Sequence, residues 1–154
     1  VLLMDRVISV KLLRASTFTH ATEDPGRVRQ ALLNILPQGL RNSKKLAEEV
    51  VKGHHGNEIR IYKLELHGDE ALEVLKYVIC SLDESDRRVL LLSISDRVGD
   101  VKSHLYIRLG KQEAYMGKLT VRDGSDVVKV SVTIDGCRSL DDVSTFLKEL
   151  IRVC

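Results

Sequence analysis

The sequence predicts an α+β fold of two layers, with helices packed on a largely antiparallel sheet. Three observations predict it. Strand-like and helix-like segments are intermixed without a regular βαβα alternation. The stretch 119–134 reads as a hairpin. No linker, repeat or low-complexity tract interrupts the 154 residues, so residues 1–154 form one domain.

The elements follow in order. Residues 7–19 alternate roughly between apolar and polar types and read as a long first strand. Asp24 and Pro25 supply an N-cap and a first-turn proline, and Val28, Leu32, Ile35 and Leu36 form one helical stripe, which Pro37 and Gly39 stop. Residues 43–52 fit either a short helix or a strand. The segment Gly53-His54-His55-Gly56-Asn57 fits a tight turn, and Ile59, Ile61, Leu64 and Leu66 mark a second strand. A helix from Gly68 through Leu82 buries Leu72, Leu75, Ile79 and Leu82. A second spans 83–95 with Leu90, Leu91 and Ile94 inside, and 95–100 is a loop. Residues 104–109 make a strand, and Lys111 to Tyr115 about one helical turn. Asp123-Gly124 signals a turn before a strand at 127–134. Ser139 and Asp142 cap a last amphipathic helix bearing Val143, Phe146, Leu147, Leu150 and Ile151.

Composition removes several functions. Aromatics are 4% and tryptophan is absent, so the core is aliphatic. No apolar run reaches the ~20 residues of a membrane span, and no membrane partner is expected. Cys80, Cys137 and Cys154 make no Cys-x-x-Cys pair, which excludes zinc ribbons and thioredoxin-like chemistry; a reducing cytoplasm is the natural home, with one bridge open to a hyperthermophile. Three Asn and three Gln beside 46 charged residues suit a thermophilic source. No phosphate loop, nucleophile elbow, zinc helix or dinucleotide fingerprint occurs. Net charge is only +2, but it is unevenly spread. Eleven Lys/Arg face six Asp/Glu through Lys63, and thirteen face sixteen from Leu64 on. One basic face, suited to a phosphate backbone, would follow.

Two constellations suit nucleic acid. Gly53-x-x-Gly56 matches the backbone-clamping loop of KH domains, but a strand follows where that fold has a helix. Arg108, Lys111 and Tyr115 group a guanidinium, an ammonium and a phenol, the parts of a phosphate contact with base stacking. His20, His54 and His55, with Asp24 nearby, are the only opening for a metal-dependent phosphodiesterase, and a weak one.

His20-Ala21-Thr22-Glu23-Asp24, Gly53 through Glu58, and Tyr106 through Gly117 together resemble the signature blocks of an archaeal family. That family is described as predicted RNA-binding and exosome-linked, and is catalogued as a domain of unknown function. The resemblance implies a ribosomal-protein-like fold, similar to the protein that binds five-S rRNA. Gly110 departs from the family's frequent Asp, and Glu58 from its frequent Pro.

The expected function is therefore non-catalytic RNA binding in RNA processing or ribosome-related work. Arg60, Arg108 and Lys111 would neutralise phosphates. Tyr115, His54 and His55 would offer stacking surfaces, and Asn57 would shape the loop. RNA and RNA-processing complex proteins are the expected partners of a monomer or small homo-oligomer, with no cofactor and no metal. The rival is a protein–protein adaptor docking through Asp83, Glu84, Asp86, Asp141 and Asp142.

Overall fold

The computed structural model describes residues 2–3, 6–99 and 103–154. Among them, strands and helices run in the order β1 (Leu2–Leu3), β2 (Arg6–Val7), β3 (Ser9–Phe18), α1 (Pro25–Leu33), β4 (Ala47–Lys52), β5 (Glu58–His67), α2 (Gly68–Ser81), α3 (Glu84–Leu92), α4 (Ile94–Arg97), β6 (His104–Gly110), α5 (Lys111–Tyr115), β7 (Val127–Asp135) and α6 (Leu140–Arg152). A 3-10 turn at Gln38–Leu40 follows α1. The main sheet has five strands in the order β4-β5-β3-β7-β6, every neighbouring pair antiparallel. β1 and β2 pair as a separate ribbon.

The outer and inner faces of this sheet are set by period-two alternation. Tyr62, Leu64 and Leu66 of β5, Val130, Val132 and Ile134 of β7, and Leu105, Ile107 and Leu109 of β6 all turn inward and are buried. β3 needs one correction to its phase. Val10 is buried, and so are Leu13, Ala15 and Thr17, because the pairing with β7 slips between Val10 and Leu12. That irregularity moves the inward set from even to odd positions. The rough alternation of the sequence is the trace of it.

Helices cover the inner face only. α2 packs on β3 and β5, and α1 packs on β3 and on α5. The aliphatic core they enclose includes Val28, Leu32, Ile35, Leu36, Val74, Leu75, Val78 and Ile79. The predicted caps are present. Asp24 accepts the Gly26 N–H at 3.0 Å, and Ser139 Oγ that of Asp142 at 3.1 Å; a further cap, which the sequence reading does not name, is Asp83, which accepts the Asp86 N–H at 2.8 Å.

Four readings change. Residues 47–52 are a strand, and 43–46 belong to no element. The helix expected over 83–95 breaks at Ser93 into α3 and α4, and Asp96 and Arg97, expected in a loop, are helical; Asp100 lies outside the described residues. Leu119 starts no strand. Val121 makes only an isolated bridge to Leu109, and the hairpin partners are β6 and β7, with α5 and a loop between them. Finally, Cys80 and Cys154 form a disulfide that ties the C-terminus to α2, leaving Cys137 buried and outside the bond. Cysteines 74 residues apart give no sequence cue to such a pairing.

Candidate nucleic-acid interface

Because the helices of the main layer lie on one side, the other side of the sheet is open. It forms a concavity of about 780 Å³ that reaches from β4 at one edge to β6 at the other. Cross-strand register arranges its side chains in rows. One row crosses all five strands as Ala47, Lys63, Ser16, Lys129 and Arg108. The next runs Glu65, Arg14, Ser131 and Tyr106. With Lys45, the concavity carries five cations against one carboxylate.

The pairing of these groups matters. Arg14 Nε donates to Glu65 at 3.1 Å, and Lys63 lies 3.6 Å from Glu49, both pairs being exposed. Arg108 donates to the Gly124 carbonyl at 3.2 Å, with no carboxylate partner among the described residues. Lys129 has no salt bridge among the described residues, although it stands directly opposite Arg108. Like charges opposite one another destabilise a sheet. Here two cations face one another, and an anion would relieve them.

The expected site residues fall in four places. Arg108 alone lies on the concave face. Lys111 requires a correction, since its side chain is only 2% exposed and cannot reach an RNA backbone. Its ammonium donates to Glu23 at 2.7 Å and to the Phe18 carbonyl at 2.9 Å, and sits 3.0 Å from Asp126. Gln112 bridges the same two carboxylates, at 3.1 and 3.3 Å. Tyr115 is half-buried against α1, with the Arg27 guanidinium 5.6 Å from its ring centre. Lys111 and Tyr115 thus belong to the packing of α5 on α1.

His54, His55 and Asn57 form the tip of the β4–β5 hairpin, closed by the Gly53 N–H on the Asn57 carbonyl at 2.7 Å. Gly56 adopts φ +76°, as such a turn requires. The two histidines are exposed, but they do not line the concavity. Arg60 is held by Glu48 and lies 3.9 Å from Glu58. The hydrogen bond and charge of Glu48 raise its guanidinium pKa. It does not line the concavity either.

A second cluster gathers the first and third sequence blocks. His20, Glu23 and Asp126 offer donor atoms within 4.8 Å of one another, a spacing that could hold a metal ion. Lys111 already contacts both carboxylates of this group. Burial pushes the Glu23 carboxyl up, but the Lys111 hydrogen bond, the His20 backbone N–H and Gln112 outweigh it and hold the pKa low. At Asp126 burial likewise raises the pKa, and Lys111, Gln112 and His20 more than reverse it. Neither His54 nor His55 belongs to this group.

Sequence reasoning missed Arg14, Lys63, Tyr106 and Lys129. Alternation alone places each on an outer face. Putting them on one surface needs the strand order and the slip in β3, which no local pattern announces.

The fold and this face define a class: two-layer α+β domains with one sheet surface uncovered and cationic. A family model described as RNA binding matches residues 13–134, and the chain belongs to that family. An RNA-binding protein of Pyrococcus abyssi is 34% identical over 125 residues, covering 79% of this chain and 80% of its own. An uncharacterized protein of Methanocaldococcus jannaschii is 32% identical over 121 residues, covering 76% and 79%. Among solved structures, a DUF54 protein of Archaeglobus fulgidus superposes with TM-score 0.73 at 27% identity, over 92% of this chain and 99% of its own. One from Sulfolobus solfataricus gives 0.74 at 21% identity, over 92% and 98%, a likeness of fold alone. None of the described helices is long and apolar enough to cross a membrane.

Proposed function

We propose that the concave sheet face binds RNA without catalysing its cleavage, and that Lys129 and Arg108 form the centre of the contact. One observation carries this reading: a cation row crossing the sheet, lying in a concavity and short of carboxylate partners among the described residues. Membership of an RNA-binding family supplies the polymer. Lys63, Lys129 and Arg108 take phosphates; Ser16 lies between Lys63 and Lys129 in the same row and Ser131 in the next row, where a 2′-hydroxyl would be met. The resemblance to an exosome-linked family carries the finer reading, that the RNA is one under processing or part of a ribosome.

Ultraviolet crosslinking followed by peptide mapping tests the location. Crosslinks should fall on β3, β6 and β7, at Tyr106 above all. Crosslinks confined to the 53–57 hairpin tip or to α3 and α6 would refute it.

A further inference from the structure

This inference rests on the RNA-binding reading and names the form of RNA the same face takes. Tyr106 is the exposed aromatic of the concavity, at 47% exposure. Its neighbour two residues back on β6 is His104, and the two rings are nearly parallel, 14° apart in plane. Their centroids are 6.5 Å apart. That is about two stacking intervals of ~3.4 Å, the separation between successive bases. A third ring inserted between two parallel ones needs that separation. Gly99 stands beside this pair: its N–H is tied to the His104 carbonyl at 3.2 Å, and a Cβ there would lie 3.3 Å from the Tyr106 ring.

Arg108 follows Tyr106 by two residues on the same strand and face, about 6.8 Å along it, with Lys129 directly opposite Arg108. A ring pair and a cation pair at this separation match the base and the phosphate of a single nucleotide. The rest of the lining offers cations, two serine hydroxyls, Glu65 and aliphatic residues, and no further ring among the described residues. Sheet modules that read single strands stack two or three successive bases. A face with one base slot among many backbone contacts instead suits an RNA whose other bases are turned inward. That is a base-paired stem.

We infer that His104 and Tyr106 form a slot for one unpaired base, and that the RNA class bound is a stem carrying an unpaired nucleotide. The test uses the intact protein with three RNAs: a perfect duplex, the same duplex with one bulged 2-aminopurine, and a single strand. The bulged duplex should bind about 5- to 160-fold more tightly than the perfect one, the range that one stacked base supplies. The 2-aminopurine emission should change on binding. Tyr106→Ala and His104→Ala should each remove most of that preference and the emission change, while Tyr106→Phe retains both. Thermal melts confirm that each variant is folded. Equal affinity for bulged and perfect duplexes, tightest binding to the single strand, or an emission change that survives Tyr106→Ala overturns the slot and leaves the RNA-binding face standing. Binding to none of the three RNAs overturns both.

Discussion

Three acceptors surround the Lys111 ammonium, contributed by the end of β3, the turn before α1 and the loop before β7. A residue that the sequence suggests for phosphate contact is thus a tie between three segments. Lys111→Met would leave the largely buried Glu23 beside Asp126 without the ammonium that both carboxylates contact. The expected loss is about 3 kcal/mol, the low end for breaking a buried pair, because Asp126 keeps 47% exposure. The pH dependence has a definite sign. Both carboxyls have pKa values below their ordinary ones, 4.5 for Glu23 and 3.8 for Asp126, so their stabilisation is present above those values and is lost as pH falls through the folded ones. The deficit of Lys111→Met should therefore be large at neutral pH and shrink below about pH 4. Urea unfolding at several pH values measures it, and a deficit independent of pH would contradict the assignment. Gly110 has a related explanation. A Cβ there would meet the Glu113 carboxylate and crowd Arg122, so glycine suits the tight start of α5.

Among the elements, local signals were legible where they act locally. The Asp24 cap, the Pro25 start and the Ser139 cap are contained within a few residues, and each appears in the structure. Asp24→Ala should cost about 1 kcal/mol without abolishing RNA binding. A variant of unchanged stability that has lost all binding would show the turn to be a site. Elements that depend on distant partners were not legible. Residues 47–52 have mixed propensity and become a strand because β5 offers them an edge. The disulfide belongs to the same category. It joins cysteines 74 residues apart, so Cys154→Ser should lower stability by about 4 kcal/mol on the chain-entropy account. Because the bond joins α2 to the C-terminus, away from the concave face, RNA affinity of the folded protein should not change. Calorimetry with and without reductant, beside a binding titration, measures both effects.

For the whole molecule, the two-layer class was readable from the mixture of elements and their periodicities. The interface was not. The charge count places the excess of cations in residues 1–63, yet the two cations proposed as the centre of the contact, Arg108 and Lys129, come from the more acidic remainder of the chain. Folding brings β6 and β7 beside β3, and so unites cations that lie far apart in sequence. The proposed interface stands or falls on phosphate contact by Lys129 and Arg108. Salt titration of RNA affinity for the Arg108→Ala/Lys129→Ala variant is the decisive experiment. Each lost phosphate contact should reduce the log–log slope by roughly 0.7–0.9, so the double variant should lose about 1.4–1.8 while remaining folded. A double variant with the wild-type slope and affinity would contradict the contact.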